Sequence, residues 1–218
     1  MNARAMVAEA LGTGLLVTAV IGSAIMAGRL TQDGGVLLLA NALATGAALL
    51  VLITIFAEIS GAQFNPALSL VLALQSKITW RGCAAHIVAQ CVGGIAGTLL
   101  THAMFNLPLL QISTHIRTGS GQYLAEGVAT FGLILTILGG LRAKADIAVL
   151  VASYITAAYW FTASTSFANP VMALARALTD TPSGIRPADA PAFVLAEIGG
   201  AVLAMVLSGW LFRAPDQA

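Results

Sequence analysis

Twice in this chain an Asn-Pro step stands ahead of an apolar run too short to cross a bilayer. The first is Gly61-Ala62-Gln63-Phe64-Asn65-Pro66-Ala67, running on to about Gln75; the second is Ser166-Phe167-Ala168-Asn169-Pro170-Val171, running on to about Leu178. The Asn side chain can accept from the unpaired N–H groups of a first helical turn, and Pro at the first helical position gives up no hydrogen bond, so each step reads as a helix start. Ten helical residues cover roughly 15 Å, about half of a ~30 Å hydrocarbon core. A single Asn-Pro would be an ordinary turn, but two at matching places predict a pair of re-entrant half-helices.

A half-helix needs a membrane to be half of. The chain has 218 residues, 58% of them apolar and only 9% charged, against roughly 25% charged in soluble proteins, which makes it a polytopic membrane protein. Segments at about 5–28, 37–59, 79–105, 121–142, 145–163 and 190–212 are long enough to cross, while 29–36, 107–120 and 179–189 hold the loop-forming residues. The apolar run from Met6 to Ala27 is too long for a secretory signal and carries Glu9, so it reads as the first span. A net charge of +1 without a basic block excludes nucleic acid as a partner. Cys83 and Cys91 have no metal-ligand spacing with each other or with His86, His102 and His115; neither a metal site nor a disulfide is expected. No Ser-His-Asp or Cys-His-acid set falls together, so the residues give no reason to expect an enzyme or a cofactor.

The two halves match in order. Ala8-Glu9-Ala10-Leu11-Gly12-Thr13 resembles Ala125-Glu126-Gly127-Val128-Ala129-Thr130, and Ala89-Gln90-Cys91-Val92-Gly93-Gly94 resembles Ala196-Glu197-Ile198-Gly199-Gly200-Ala201. The expected fold class is therefore an all-α membrane protein with an inverted repeat: three spans and one half-helix at about 1–106, and the same set at about 121–213, in one domain covering 1–218. An odd number of spans per repeat makes the second copy enter from the opposite face, so the Asn-Pro ends meet near the midplane. Small residues at Gly12, Gly22, Gly46, Gly93, Gly97, Gly132, Gly199 and Gly200 are candidates for close helix crossings. With the termini inside, Arg4, Lys77, Arg81, Arg142, Lys144 and Arg213 lie on the cytoplasmic side against Arg29, Arg117, Arg176 and Arg186 outside.

Backbone that stops being helical at mid-depth cannot be satisfied by hydrocarbon, so the Asn-Pro steps demand a water-filled passage. Two helix starts meeting there, each carrying about half a positive charge, favour neutral hydrogen-bonding solutes and repel cations. If the side-chain oxygens of Asn65 and Asn169 cap their own helices, the amide N–H groups are left to face the passage. Glu9 and Glu126 are costly inside spans. Their symmetric placement reads as pinning the loops by accepting from backbone N–H groups; the rival role is coupling in a proton-driven secondary transporter. Gln90 and Glu197 read as further pinning residues.

These motifs resemble those of the major intrinsic proteins, the aquaporins and glycerol facilitators, over nearly the whole chain. The resemblance implies a right-handed bundle of six spans and two half-helices, a pore in every protomer, and a homotetramer in a lipid bilayer, with the bacterial inner membrane and cytoplasmic termini as its setting. It places Asn65, Pro66, Ala67, Asn169, Pro170 and Val171 at the pore centre, and Thr45, Ala157, Ser166 and Met172 at the selectivity constriction. Three departures bear on the solute. Gln63 stands where the family usually has His, Val171 replaces Ala, and Met172 occupies the position of a narrowing Arg. Arg176, one turn beyond Met172, either lends its charge to the outer vestibule or closes the half-helix and reaches toward headgroups. The function implied is passive passage of water and small uncharged solutes such as glycerol or arsenous acid.

Overall fold

The computed structural model describes residues 2–212, so Arg213, counted above with the cytoplasmic charges, lies outside the described residues. Among them are eight helices: α1 (Ala3–Leu30), α2 (Gly34–Ser60), α3 (Pro66–Leu74), α4 (Trp80–Met104), α5 (Ser120–Ala143), α6 (Ile147–Phe161), α7 (Pro170–Ala177) and α8 (Ala190–Leu211). Their starts follow the capping chemistry. Asp33, Thr79 and Asp146 accept from the N–H of Val36, Gly82 and Val149, and Pro66 and Pro170 open the two short helices behind Asn65 and Asn169. Gly61, at φ +85°, ends α2 in the left-handed conformation that a Cβ would oppose.

Five helices are long and apolar enough to span a membrane. The remaining expected span, 145–163, is shorter: α6 has 15 residues and rises about 22 Å. Asp146 caps it at one end, and at the other Thr162 turns extended with its hydroxyl on Ala158 O. The chain then needs non-helical backbone to reach the second Asn-Pro step.

Contacts repeat between the halves. α1 packs on α4 as α5 packs on α8, and each short helix touches the last long helix of both halves, α3 on α4 and α8, α7 on α8 and α4. The crossings are close because side chains are missing there. A Cβ on Gly93 would stand 2.1 Å from Ala10 O, one on Gly97 2.2 Å from Gly14 O, and one on Gly200 2.2 Å from Gly127 O. Gly199, expected at a crossing, would meet nothing within 4 Å. Core side chains such as Val17, Ile21, Phe64, Ile134 and Phe193 fill the bundle around the two short helices.

Candidate functional site: a cavity at the meeting of the half-helices

The loops ahead of α3 and α7 are bent by residues with positive φ, Ala62 (46°) and Phe64 (48°) in one, Thr165 (63°), Ser166 (51°) and Ala168 (49°) in the other. Side chains carrying a Cβ hold such backbone only when the surroundings over-determine it. Here buried carboxylates do so. Glu9 accepts from Gln63 N (2.9 Å), Phe64 N (2.8 Å), Ser60 Oγ (2.7 Å) and Gln90 Nε2 (2.8 Å). Glu126 accepts from Phe167 N (2.9 Å) and Ala168 N (2.7 Å), and Glu197 from Asn169 N (3.0 Å).

The two Asn residues do two things each. Asn65 Oδ1 caps α3 through Ala67 N (2.9 Å), and its Nδ2 donates across to Ala168 O (2.7 Å). Asn169 Oδ1 caps α7 through Val171 N (3.1 Å), and its Nδ2 donates back to Phe64 O (2.8 Å). The short helices therefore meet start to start. The sequence reading left both amide hydrogens of each Asn free; one of the two is spent on the opposite loop, and one remains.

Both Asn residues line a cavity of about 320 Å³ that runs between the halves. Much of its lining is aliphatic, including Leu49, Ile53, Leu133 and Ile137. The same lining carries Gln63, Asn65, Asn169, Thr45, Tyr159, Ser166, Met172 and Arg176. Thr45 Oγ1 and Tyr159 Oη are 3.0 Å apart, and among the described residues Ser166 Oγ has no partner. Arg176 is the only charged residue on the lining among the described residues. Its side chain is 2% exposed, its guanidinium lies 3.4 Å from the centre of the Phe167 ring, and Nε donates to Ser183 O. The reading in which Arg176 reaches out to headgroups is thereby overturned.

Two further expectations need correction. Ala157 is not on the cavity; it is exposed on the outer face of α6, and Tyr159, buried and two residues on, takes the lining position. Two residues turn a helix by about 200°, so a register error of that size exchanges its faces. Ala67, Pro66, Pro170 and Val171 are likewise absent from the lining. They shape the helix starts, and Val171 sends a methyl toward Gly94 of α4, where an added Cβ would be only 3.0 Å away.

The model for the major intrinsic proteins matches residues 1–145. An aquaglyceroporin, AqpS, of Rhizobium meliloti is 60% identical over 96% of this chain and 91% of its own length. The chain belongs to the major intrinsic protein family. The aquaporin TIP2-3 of Arabidopsis thaliana is 36% identical over 62% of this chain and 56% of its own length. In fold, the X-ray structure of the aquaglyceroporin from Plasmodium falciparum superposes with a TM-score of 0.76 over 99% of both chains at 19% identity.

As a major intrinsic protein the chain is a passive channel in a membrane and not an enzyme, which removes the proton-coupled transporter as an alternative. The geometry agrees: Glu9 and Glu126 are turned to the loops and neither lines the cavity. Two residues that sequence reasoning did not bring to this site belong beside it. Tyr159 was signalled by the spacing of Val151, Ile155 and Tyr159 along one helix face, but the opposite face of α6 is apolar too, so burial left no contrast to read. Arg117, in the 107–119 connection, donates from Nε to Gly184 O (2.7 Å) and from Nη1 to Ser164 O (3.2 Å). Burial pushes its pKa down from the usual value, while the charge of Glu126 opposes that shift. Nothing in its sequence neighbourhood announces this role.

Proposed function

We propose that the cavity is the conduction path, with Asn65 and Asn169 at its centre, Thr45, Tyr159, Ser166 and Met172 as its selectivity constriction, and Arg176 as the charge one turn beyond. It passes water, glycerol and uncharged metalloid hydroxides of glycerol's bulk. The observation that carries this reading is the composition of the lining: hydrogen-bonding side chains set among aliphatic ones, and no carboxylate on it among the described residues. A polyol can lay its hydroxyls on the first and its carbons on the second, while a cation meets one arginine and two helix starts. Met172 supports a wider passage than a guanidinium there would leave, and the name of the Rhizobium relative, an aquaglyceroporin, supports the solute class.

The same proposal includes one channel unit over 1–218 from two repeats, Glu9 and Glu126 as loop-pinning residues, a homotetramer, and a bacterial inner membrane with cytoplasmic termini. Orientation is supported by exposure. Arg4, Lys77, Arg81, Arg142 and Lys144 are exposed on one side; on the other Arg29 is exposed, while Arg176 is buried, Arg117 is half-buried and Arg186 is paired with Asp189.

The test is stopped-flow light scattering on proteoliposomes with osmotic, glycerol and arsenite gradients, comparing the native channel with Met172→Arg. A guanidinium at 172 presents five donors and no acceptor and fills the gap, so glycerol flux should fall at least about tenfold with water flux retained. Equal loss of both would mean plain blockage, and no change would place the constriction elsewhere.

A further inference from the structure

Arg176 is held in an unusual way for a charge on a conduction path. Among the described residues only its Nε finds an acceptor, Ser183 O; neither Nη does, and the residue lines the cavity. The aim of the guanidinium therefore depends on where the carbonyl of residue 183 stands and on the Phe167 ring beneath it. Both are held by the same second arginine. Arg117 donates from Nη2 to Pro182 O (3.4 Å) and from Nε to Gly184 O (2.7 Å), the carbonyls on either side of Ser183, and its guanidinium lies 5.2 Å from the centre of the Phe167 ring. A third donor, Nη1, reaches Ser164 O (3.2 Å), two residues before the lining hydroxyl of Ser166. Arg117 is fixed in turn by its own backbone N–H, which donates to Asp189 Oδ2 (2.9 Å). Beside it, Arg186 N donates to His115 O (2.7 Å) and closes the connections 107–119 and 179–189 onto each other. Gly184 lets the two approach, since a Cβ there would stand 2.3 Å from Ser113 Oγ.

We propose that Arg117 is a positioning residue for Arg176: one guanidinium outside the path, by fixing the carbonyls at 182 and 184 and the segment at 164, sets the direction in which the other meets the permeant. This rests on the reading of Arg176 as facing the conduction path. Lys cannot replace Arg117, because one ammonium nitrogen cannot span three carbonyls that a planar fork reaches from three separate nitrogens. The role is one of discrimination: loosening the aim of Arg176 should change which solutes pass more than how many channels fold.

The experiment is a double-mutant cycle on the glycerol-to-water permeability ratio in proteoliposomes, with the amount of folded protein normalised by size-exclusion chromatography. Arg117→Lys, which keeps the charge, and Arg117→Ala should each shift the ratio on the order of threefold. Arg176→Ala should shift it as well, and adding either Arg117 substitution to Arg176→Ala should have no further effect. A full, independent effect of Arg117→Lys in the Arg176→Ala background would overturn the proposal, as would a ratio in Arg117→Lys equal to that of the native channel. If Arg176→Ala leaves the ratio unchanged, the reading of Arg176 itself fails and this inference falls with it. Should Arg117→Ala not fold, the Arg117→Lys arm of the cycle decides.

Discussion

The two Asn-Pro loops have the same shape and are held by different chemistry. In the first half a single carboxylate, Glu9, is satisfied by four donors, one of them the amide of Gln90. In the second half the position matching Gln90 is Glu197, so two carboxyl groups share the work. Glu126 takes two backbone donors and Glu197 one; the two carboxyl groups are near enough to interact electrostatically, and among the described residues Glu197 Oε2 has no donor. An amide facing a carboxylate always has a hydrogen to donate, whereas a second carboxyl group has one only when protonated. The lesson is that an internal repeat preserves backbone geometry while its supporting side chains diverge. The second half also carries Arg176, and the connection leading into it carries Arg117.

The largest expected effect separates the two anchors. Glu9→Ala strips an acceptor from four donors, three of them buried, and should cost ~3–5 kcal/mol, whereas Glu126→Ala strips it from two and relieves Glu197 of its neighbour, costing ~1–3 kcal/mol. Thermal unfolding in detergent, followed by tryptophan fluorescence, reads the difference. An equal or greater loss in Glu126→Ala would show that the halves are not held as described.

A gentler exchange sharpens the same contrast. Glu197→Gln keeps an oxygen for Asn169 N and gives Glu126 an amide donor, as Gln90 does for Glu9, so it should stabilise the protein by ~1 kcal/mol. Gln90→Glu should lower stability by a similar amount. A melting temperature that falls in Glu197→Gln would refute the comparison.

Val171 tests whether the second helix start differs by packing or by pore width. Because its methyl lies toward Gly94, Val171→Ala should cost ~1–2 kcal/mol of stability and leave both water and glycerol flux unchanged. Increased glycerol flux at native stability would put the side chain on the path after all.

The smallest effect is where the connections 107–119 and 179–189 meet. Asp180 accepts from Thr114 N (2.8 Å) and Thr114 Oγ1 (2.9 Å), and these bonds, the backbone one first, hold its carboxyl below the ordinary value. A depressed folded-state pKa means that the contribution to stability is present above the unfolded value of about 3.9 and is lost as pH falls through the folded one. Amide exchange at Thr114 should accelerate only below that ordinary value, with no loss of the clasp at neutral pH. An acceleration near neutrality, beyond the intrinsic pH dependence of exchange, would assign the clasp to another group.

Much of this was legible in the residues. The Asn-Pro steps, the matched Glu9 and Glu126 and the apolar runs lead to the bundle and to the meeting of the half-helices, because capping and backbone satisfaction act locally and hydrocarbon leaves few alternatives. The face of α6 was not legible. Lipid on one side and an aliphatic cavity wall on the other call for the same residues, so Ala157 and Tyr159 could not be told apart by polarity. Arg117 was hidden for a different reason. Its partners are backbone carbonyls at 164, 182 and 184, which any sequence supplies, and only the tertiary fold brings them together.

The reciprocal bonds from Asn65 to Ala168 and from Asn169 to Phe64 carry a consequence for how the chain is made. Neither re-entrant loop is complete by itself, since each borrows its last donor from a residue more than a hundred positions away. While the ribosome is still working on the second half, the first loop has a carbonyl with no protein partner at the depth where lipid would surround it. The final seating of α3 therefore waits for α7, so the first re-entrant loop completes its hydrogen bonding only after the spans around it have been synthesised.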